Sequence, residues 1–167
     1  ILTSGGDAPG MNAAIRAVVR TAIYRGLNVK GIMRGYAGLL QEEIVDMNGT
    51  SVSEIIHRGG TILYTARCLE FINPEYQQKG ADICRKHGID SMVVIGGDGS
   101  FRGAKDLSAQ DIPCVCIPGT IAHDIACTEY TLGYDTALNT ALAMIDKLRA
   151  TTQRPPRCRL AAGSGRA

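Results

Sequence analysis

Tryptophan is absent from this sequence, phenylalanine occurs only twice, and no stretch approaches the roughly 18 consecutive apolar residues of a membrane span. A membrane role is therefore not expected. Neither charge is in excess, since 18 basic and 16 acidic side chains leave a formal net charge of +2 and charged residues make up 20% of the chain. That balance fits neither a polybasic nucleic-acid tail nor a disordered segment. Ile1 opens the sequence without the basic flank and apolar stretch of a signal peptide, so secretion is not expected either. What is present is 167 residues, 45% of them apolar, the size of one domain or a piece of a larger protein. Glycine is in excess at 20 residues, roughly 12% against a usual ~7%, and that excess calls for a local explanation.

The six cysteines, Cys68, Cys84, Cys114, Cys116, Cys127 and Cys158, are spread through apolar runs of a chain large enough to fold without staples. They read as reduced thiols. Cys114 and Cys116 lie two apart, where a strand points both to one face, and a metal would need two further ligands nearby. Core packing is the better reading of that pair.

Short apolar runs that end in glycine and lead into helical patterns set the architecture, because strand, helix and strand in succession build a parallel sheet. The run ILTSGG (Ile1 to Gly6) is a strand end entering a glycine turn. Met11, Ile15, Val18, Val19, Ala22 and Ile23 then recur at helical spacing over Met11 to Tyr24. Leu27 to Met33 reads as a second strand. SMVVIGGDGS (Ser91 to Ser100) is a buried strand with a second glycine turn, followed by a helix from Phe101 to Leu107, and PCVCIPGT (Pro113 to Thr120) is a third. Leu138, Leu142, Ile145 and Leu148 mark an amphipathic helix that Arg154, Pro155 and Pro156 stop. The fold class is α/β: a doubly wound, mostly parallel sheet with helices on both faces, a Rossmann-like nucleotide-binding domain. Ile1 begins inside a strand, and RCRLAAGSGRA is a poor core strand, so the chain is expected to be a fragment.

Glycine turns at the carboxyl ends of parallel strands, beside helix amino termini, expose backbone amides where the helix dipole favours an anion. TSGGDAPGMN and IGGDGS both have this form. Neither is a Walker loop, because Met11 stands where the lysine would be, and neither matches GxGxxG. Taken alone, each serves equally well as a phosphate cradle or a plain tight turn. Asp98 adds a carboxylate suited either to a magnesium ion bridging phosphate oxygens or to capping the helix from Phe101. Arg58 and Arg67 flank a glycine pair, and arginine holds phosphate oxygens in two bonds. His57 and His87 read as ordinary surface or packed histidines, with no nucleophile or metal set beside them.

TSGGDAPGMNAAIR (Thr3 to Arg16), GGTILYTAR (Gly59 to Arg67), VVIGGDGS (Val93 to Ser100), PGTI (Pro118 to Ile121) and DTALNTALAMIDKLR (Asp135 to Arg149) together resemble the bacterial-type 6-phosphofructokinase family. The likeness runs from Ile1 to about Arg157, and five blocks in order are far more specific than one glycine turn. Residues 1–150 would be the ATP-binding α/β domain, and 151–167 the start of the substrate-binding half.

The resemblance implies transfer of the γ-phosphoryl group of ATP to fructose 6-phosphate, giving ADP and fructose 1,6-bisphosphate. It also implies Mg2+ and a cytoplasmic homotetramer with no nucleic-acid or membrane partner. Carried over, Gly6, Tyr36, Arg67, Cys68, Gly97, Gly99, Ser100 and Gly103 fall at the nucleotide positions and Asp98 at the magnesium position. Arg67 would also steady the transferring group. Gly99 and Gly119 follow the ATP pattern, because pyrophosphate-using relatives carry Asp and Lys there, side chains that would fill the adenosine space.

On the acceptor side the family reads PGTIDND, with its first Asp as base, whereas this chain reads PGTIAHD, with Ala122, His123 and Asp124. Alanine cannot take a proton, and losing a positioned base costs about 10² to 10⁴ in rate. His123 in an extended segment would point away from the side of Ala122. Thr120, Ile121, Ala122 and Arg157 fall at substrate positions, and Ser164, Gly165 and Arg166 stand where the family strand ends in MGR. Thr120 and Asp124 join Arg67 and Ala122 as the catalytic positions. Cys127 replaces a family glycine and Glu129 an aspartate. Arg16, Arg20, Glu54 and Arg149 fit the positions for an ADP or phosphoenolpyruvate effector, although Gly49 replaces an arginine, and solvated surface charge is the alternative.

Three readings follow. One is an ATP-dependent kinase impaired by Ala122. A second is a nucleotide-binding or regulatory subunit without catalysis. The third is a sugar or lipid kinase sharing GGDGS, which GGTILYTAR disfavours.

Overall fold

The computed structural model of the chain describes residues 1–122 and 125–152, the last four by backbone alone. In chain order the elements are β1 (Leu2–Thr3), α1 (Met11–Tyr24), β2 (Val29–Ile32), α2 (Gly35–Leu40), β3 (Ile44–Met47), a 3₁₀ turn (Glu70–Ile72), α3 (Pro74–Lys86), β4 (Met92–Gly96), α4 (Asp98–Ser108), β5 (Cys114–Pro118) and α5 (Tyr134–Thr152). Five strands form one sheet in the order β3-β2-β1-β4-β5. β1 is parallel to both β2 and β4, and β4 is parallel to β5. Only β3 runs antiparallel, with Val29 opposite Met47 and Ile32 opposite Ile44.

Alternation along the strands divides the core into two layers. Leu2, Ile32, Met92 and Val94 face α2, α3 and α4, packing on Leu39, Ala81, Cys84, Ala104 and Leu107. Ile1, Met47 and Ile95 face the opposite way onto Met11, Ile15 and Val19 of α1 and onto Val52, Ile55 and Leu63 of the long connection after β3. Helices therefore cover both faces, as the doubly wound reading requires. Cys114 and Cys116 both pack against the first layer, and the five cysteines among the described residues are free thiols.

The structure corrects several boundaries. The second strand begins at Val29 rather than Leu27, because the α1 turn continues until the Leu27 amide bonds the Ala22 carbonyl at 2.9 Å. The helix expected from Phe101 begins three residues earlier, at Asp98, with Gly97 at its cap. Asp98 is thus inside the first turn and does not cap the helix. α2, β3 and α3 had no counterpart in the sequence reading. α3 carries conventional local signals: Asn73 accepts a bond from the Glu75 amide at 3.1 Å, Pro74 occupies the first turn, and Arg85 and Lys86 close the last. α5 forms with the expected stripe, but Leu138, Leu142 and Ile145 are 46–53% exposed. It runs to Thr152, and the stop expected at Arg154, Pro155 and Pro156 lies outside the described residues.

Candidate active site

Chain order reverses between β1 and β4, since β1 is followed by β2 on one side while β4 lies on the other. Open α/β sheets leave a crevice at such a point, outside the carboxyl ends of the strands. Here it is a cavity of about 570 Å³, bordered by Ser4, Gly5 and Gly6 after β1 and by Gly97, Asp98 and Gly99 after β4. Both glycine turns singled out in the sequence thus meet at one place.

The turn after β4 is held tightly. A Cβ on Gly96 would lie 2.4 Å from the Ser100 hydroxyl and 2.5 Å from the Ser4 carbonyl, so only glycine allows this approach of the two strand ends. A Cβ on Gly6 or Gly99 would meet nothing within 4 Å, which leaves open space above the amides. The Ser100 hydroxyl is buried and has no hydrogen-bond partner among the described residues, although a buried hydroxyl ordinarily has one. The backbone amides at this helix amino terminus, beside the free space at Gly6 and Gly99, fit a phosphate oxygen.

Asp98 adds an exposed carboxylate at the same end. Its Oδ2 lies 2.8 Å from Nη2 of Arg102, one turn along α4. Among the described residues no three His, Cys, Asp or Glu side chains converge into a self-sufficient metal site. A single carboxylate beside a phosphate cradle is nonetheless what magnesium takes, because that ion keeps waters and borrows phosphate oxygens. Arg67 also lines the cavity, exposed and with no ion pair among the described residues.

The other end is apolar. The rings of Tyr36 and Phe71 stack with centroids 4.4 Å apart and 20° between planes, and Cys68, Leu69 and Ile72 extend that wall. Burial pushes the Cys68 thiol above its ordinary range, so it lines the wall as a neutral group. Burial likewise raises the Tyr36 phenol, which donates a bond to the Ser100 carbonyl at 2.7 Å. A Cβ on Gly103 would strike the Tyr36 ring at 2.7 Å, which accounts for glycine at that helical position.

All nine nucleotide positions expected from the sequence therefore line one cavity, polar at one end and aromatic at the other. The whole sequence bears the same relationship to known proteins. Residues 1–166 match the phosphofructokinase family. The chain belongs to that family. An ATP-dependent 6-phosphofructokinase of Caldanaerobacter subterraneus subsp. tengcongensis is 58% identical over 167 residues, covering 99% of this chain and 52% of that protein. The Clostridium acetobutylicum protein of the same name is 63% identical over 152 residues, covering 91% of this chain and 48% of its own length. Phosphofructokinase from Saccharomyces cerevisiae superposes with a TM-score of 0.82 at 35% identity, over 90% of this chain and 24% of that one. The chain thus spans about half the length of the curated relatives it matches.

The structure also shows where carried-over positions fall elsewhere. Gly119 does not border the cavity: a Cβ there would point inward, 3.0 Å from Ile95 and 3.4 Å from Met11. Gly99, by contrast, opens onto the cavity. Arg58 does not reach the cavity either; its carbonyl accepts from Asn12 Nδ2 at 3.1 Å. His57 is exposed and His87 is a surface residue bonded to Glu42 at 2.8 Å.

On the acceptor side Thr120 borders the cavity and its Oγ1 accepts from the Ala122 amide at 3.1 Å. Ile121 and Ala122 are exposed just beyond it. His123, Asp124, Arg157, Ser164, Gly165 and Arg166 lie outside the described residues, as does the side chain of Arg149. Of the effector set, Arg16 bonds the Val52 carbonyl, two residues from Glu54, and Arg20 is exposed one turn along α1. No helix among the described residues is long and apolar enough to cross a membrane.

Leu69, Phe71, Ile72, Arg102 and Asp106 also line the cavity and were not singled out in the sequence. The spacing of Asp98, Arg102 and Asp106 carried a signal for the last two, but only for a helix that starts at Asp98.

Proposed function

We propose that this chain is the nucleotide-binding half of an ATP-dependent 6-phosphofructokinase, which passes the γ-phosphoryl group of ATP to fructose 6-phosphate. The observation that carries the reading is the convergence of both glycine turns, Asp98 and Arg67 around one cavity whose far end is aromatic. The amides of Gly97 to Ser100 would hold phosphate oxygens, with the dipole of α4 behind them. Arg67 supplies a planar cation for the charge on the transferring group, which is worth most where charge spreads in the transition state. Asp98 would hold magnesium, whose bound form neutralises phosphate charge. The exposed Leu69 and Ile72, backed by the buried Tyr36 and Phe71 pair, offer an apolar surface for the base. The acceptor would enter past Thr120, so that the amide end of α4 and the acceptor segment address the same phosphoryl group.

Ala122 favours a second reading, a nucleotide-binding subunit that contributes no base of its own. Tetrameric assembly and the effector role of Arg16, Arg20, Glu54 and Arg149 belong to the same proposal and rest on the family likeness. Calorimetric titration with ATP and magnesium tests the site. Gly99→Asp places a carboxylate in the open space beside the phosphates and should weaken ATP at least tenfold through like-charge repulsion. Equal affinity of folded wild type and Gly99→Asp would overturn the assignment.

A further inference from the structure

Asp98, Arg102 and Asp106 follow one another at intervals of four on α4, and all three border the cavity. Side chains four apart share a helix face, so the cavity runs along this stripe. Eight residues at about 1.5 Å each set the two aspartates roughly 12 Å apart along the axis. Asp98 stands at the phosphate end, beside the glycine turn. Asp106 stands at the aromatic end, near enough to Tyr36 for its charge to help raise the phenol.

Asp106 is held in one orientation. The buried amide of Gln77 donates to Asp106 Oδ2 at 2.9 Å and to the carbonyls of Phe71 and Ile72 at 3.1 and 3.3 Å. This amide ties the carboxylate to the 3₁₀ turn that carries the stacked Phe71. Oδ1 has no hydrogen-bond partner among the described residues. One anchored oxygen therefore leaves one acceptor on a residue that borders the cavity where the proposed site puts a base.

An ionised carboxylate only accepts hydrogen bonds. A purine that presents an exocyclic amine satisfies it, whereas a carbonyl in the same place sets two acceptors against each other and leaves both unpaired. With Oδ2 engaged by Gln77, the paired contact that a carboxylate makes with two adjacent donors is not open to Asp106, and a single amine is the matching group. We propose that Asp106 determines base specificity in this chain, its free oxygen accepting from the 6-amino group of a purine nucleotide and rejecting a 6-oxo purine. This rests on the nucleotide reading above and deepens it.

The test compares ATP with ITP, which carries a carbonyl in place of the 6-amino group, by calorimetric titration in magnesium with the full chain. Wild type should favour ATP by about tenfold or more, the worth of one hydrogen bond to a charged group. In Asp106→Asn the amide oxygen inherits the bond from Gln77 and the NH₂ group faces the cavity, so the preference should vanish or reverse toward ITP. Asp106→Ala should lose the preference without gaining ITP affinity, which separates a reading role from a general loss of fit. Thermal melts identify any variant that fails to fold, and either folded variant suffices. An ATP-to-ITP ratio unchanged in a folded variant, or a wild type that favours ITP, overturns the role of Asp106 while leaving the nucleotide site intact. Wild type that binds neither nucleotide overturns both.

Discussion

The Tyr36 hydroxyl donates to the Ser100 carbonyl across 2.7 Å of buried space, joining α2 to the first turn of α4. The same ring stacks on Phe71 and fills the room left by Gly103. Tyr36→Phe keeps the stack and removes the bond, so it should cost about 1 to 1.5 kcal/mol in urea unfolding. Gly103→Ala drives a methyl into the ring and should cost about 1 to 3 kcal/mol through overpacking. It should also weaken ATP, because α4 must move away from the aromatic wall. A Gly103→Ala chain as stable as wild type would contradict this packing.

The Asp98–Arg102 pair is exposed, with side-chain accessibilities of 49% and 78%, and such pairs stabilise a helix by only about 0.3 to 0.5 kcal/mol. Arg102→Ala should therefore leave the urea midpoint nearly unchanged. Asp98→Asn should behave alike in stability yet lose the dependence of ATP affinity on magnesium. Calorimetry with and without magnesium reads this directly, and retained magnesium dependence in Asp98→Asn would remove Asp98 from the metal role.

Bonds from Lys86 and then His87 hold the Glu42 carboxyl below its ordinary 4.5. Arg34 does the same to Glu43, and Lys30 to Asp46. A carboxyl whose pKa is lowered by folding adds stability above its unfolded value, and that stability is lost as pH falls through the folded value. The stability of wild type should thus hold from neutral pH to about 5 and decline below it. Glu42→Gln should be less stable at neutral pH, with the two curves converging in acid. Urea midpoints against pH check this, and a difference that persists unchanged in acid would show that the carboxylate charge is not responsible.

Ala122 is exposed and its amide donates to Thr120 Oγ1; by the family resemblance it is proposed to stand at the base position. In a chain completed with a family second half, fructose 6-phosphate should turn over slowly, and Ala122→Asp should raise turnover by about 10² or more. ATP affinity should change little, since the proposed nucleotide site is built from Gly6, Arg67 and Gly97 to Ser100 and not from Ala122. Coupled-assay turnover at saturating ATP decides the matter: a parent as fast as Ala122→Asp would mean that another group takes the proton.

Strand and helix periodicity and the two glycine turns were legible in the sequence because each depends on local chain geometry, whereas the nucleotide positions came only from the family resemblance. A buried run such as Met92 to Gly96 has to be a strand, and glycine is needed wherever backbone meets backbone. Gly119 looked equivalent to Gly99 in the sequence, yet one faces Ile95 and Met11 and the other faces open space. That difference depends on which side of the sheet each loop leaves from, and no spacing encodes it. The antiparallel course of β3 and the bridge from Gln77 to Asp106 joined residues far apart in the chain. The sequence by itself determined an α/β chain with phosphate-type turns and the family resemblance. Only the tertiary structure brought both turns to one crevice and set an aromatic wall and a tethered carboxylate at its far end, because those contacts join β1, α2, α3 and α4 through packing rather than through neighbouring residues.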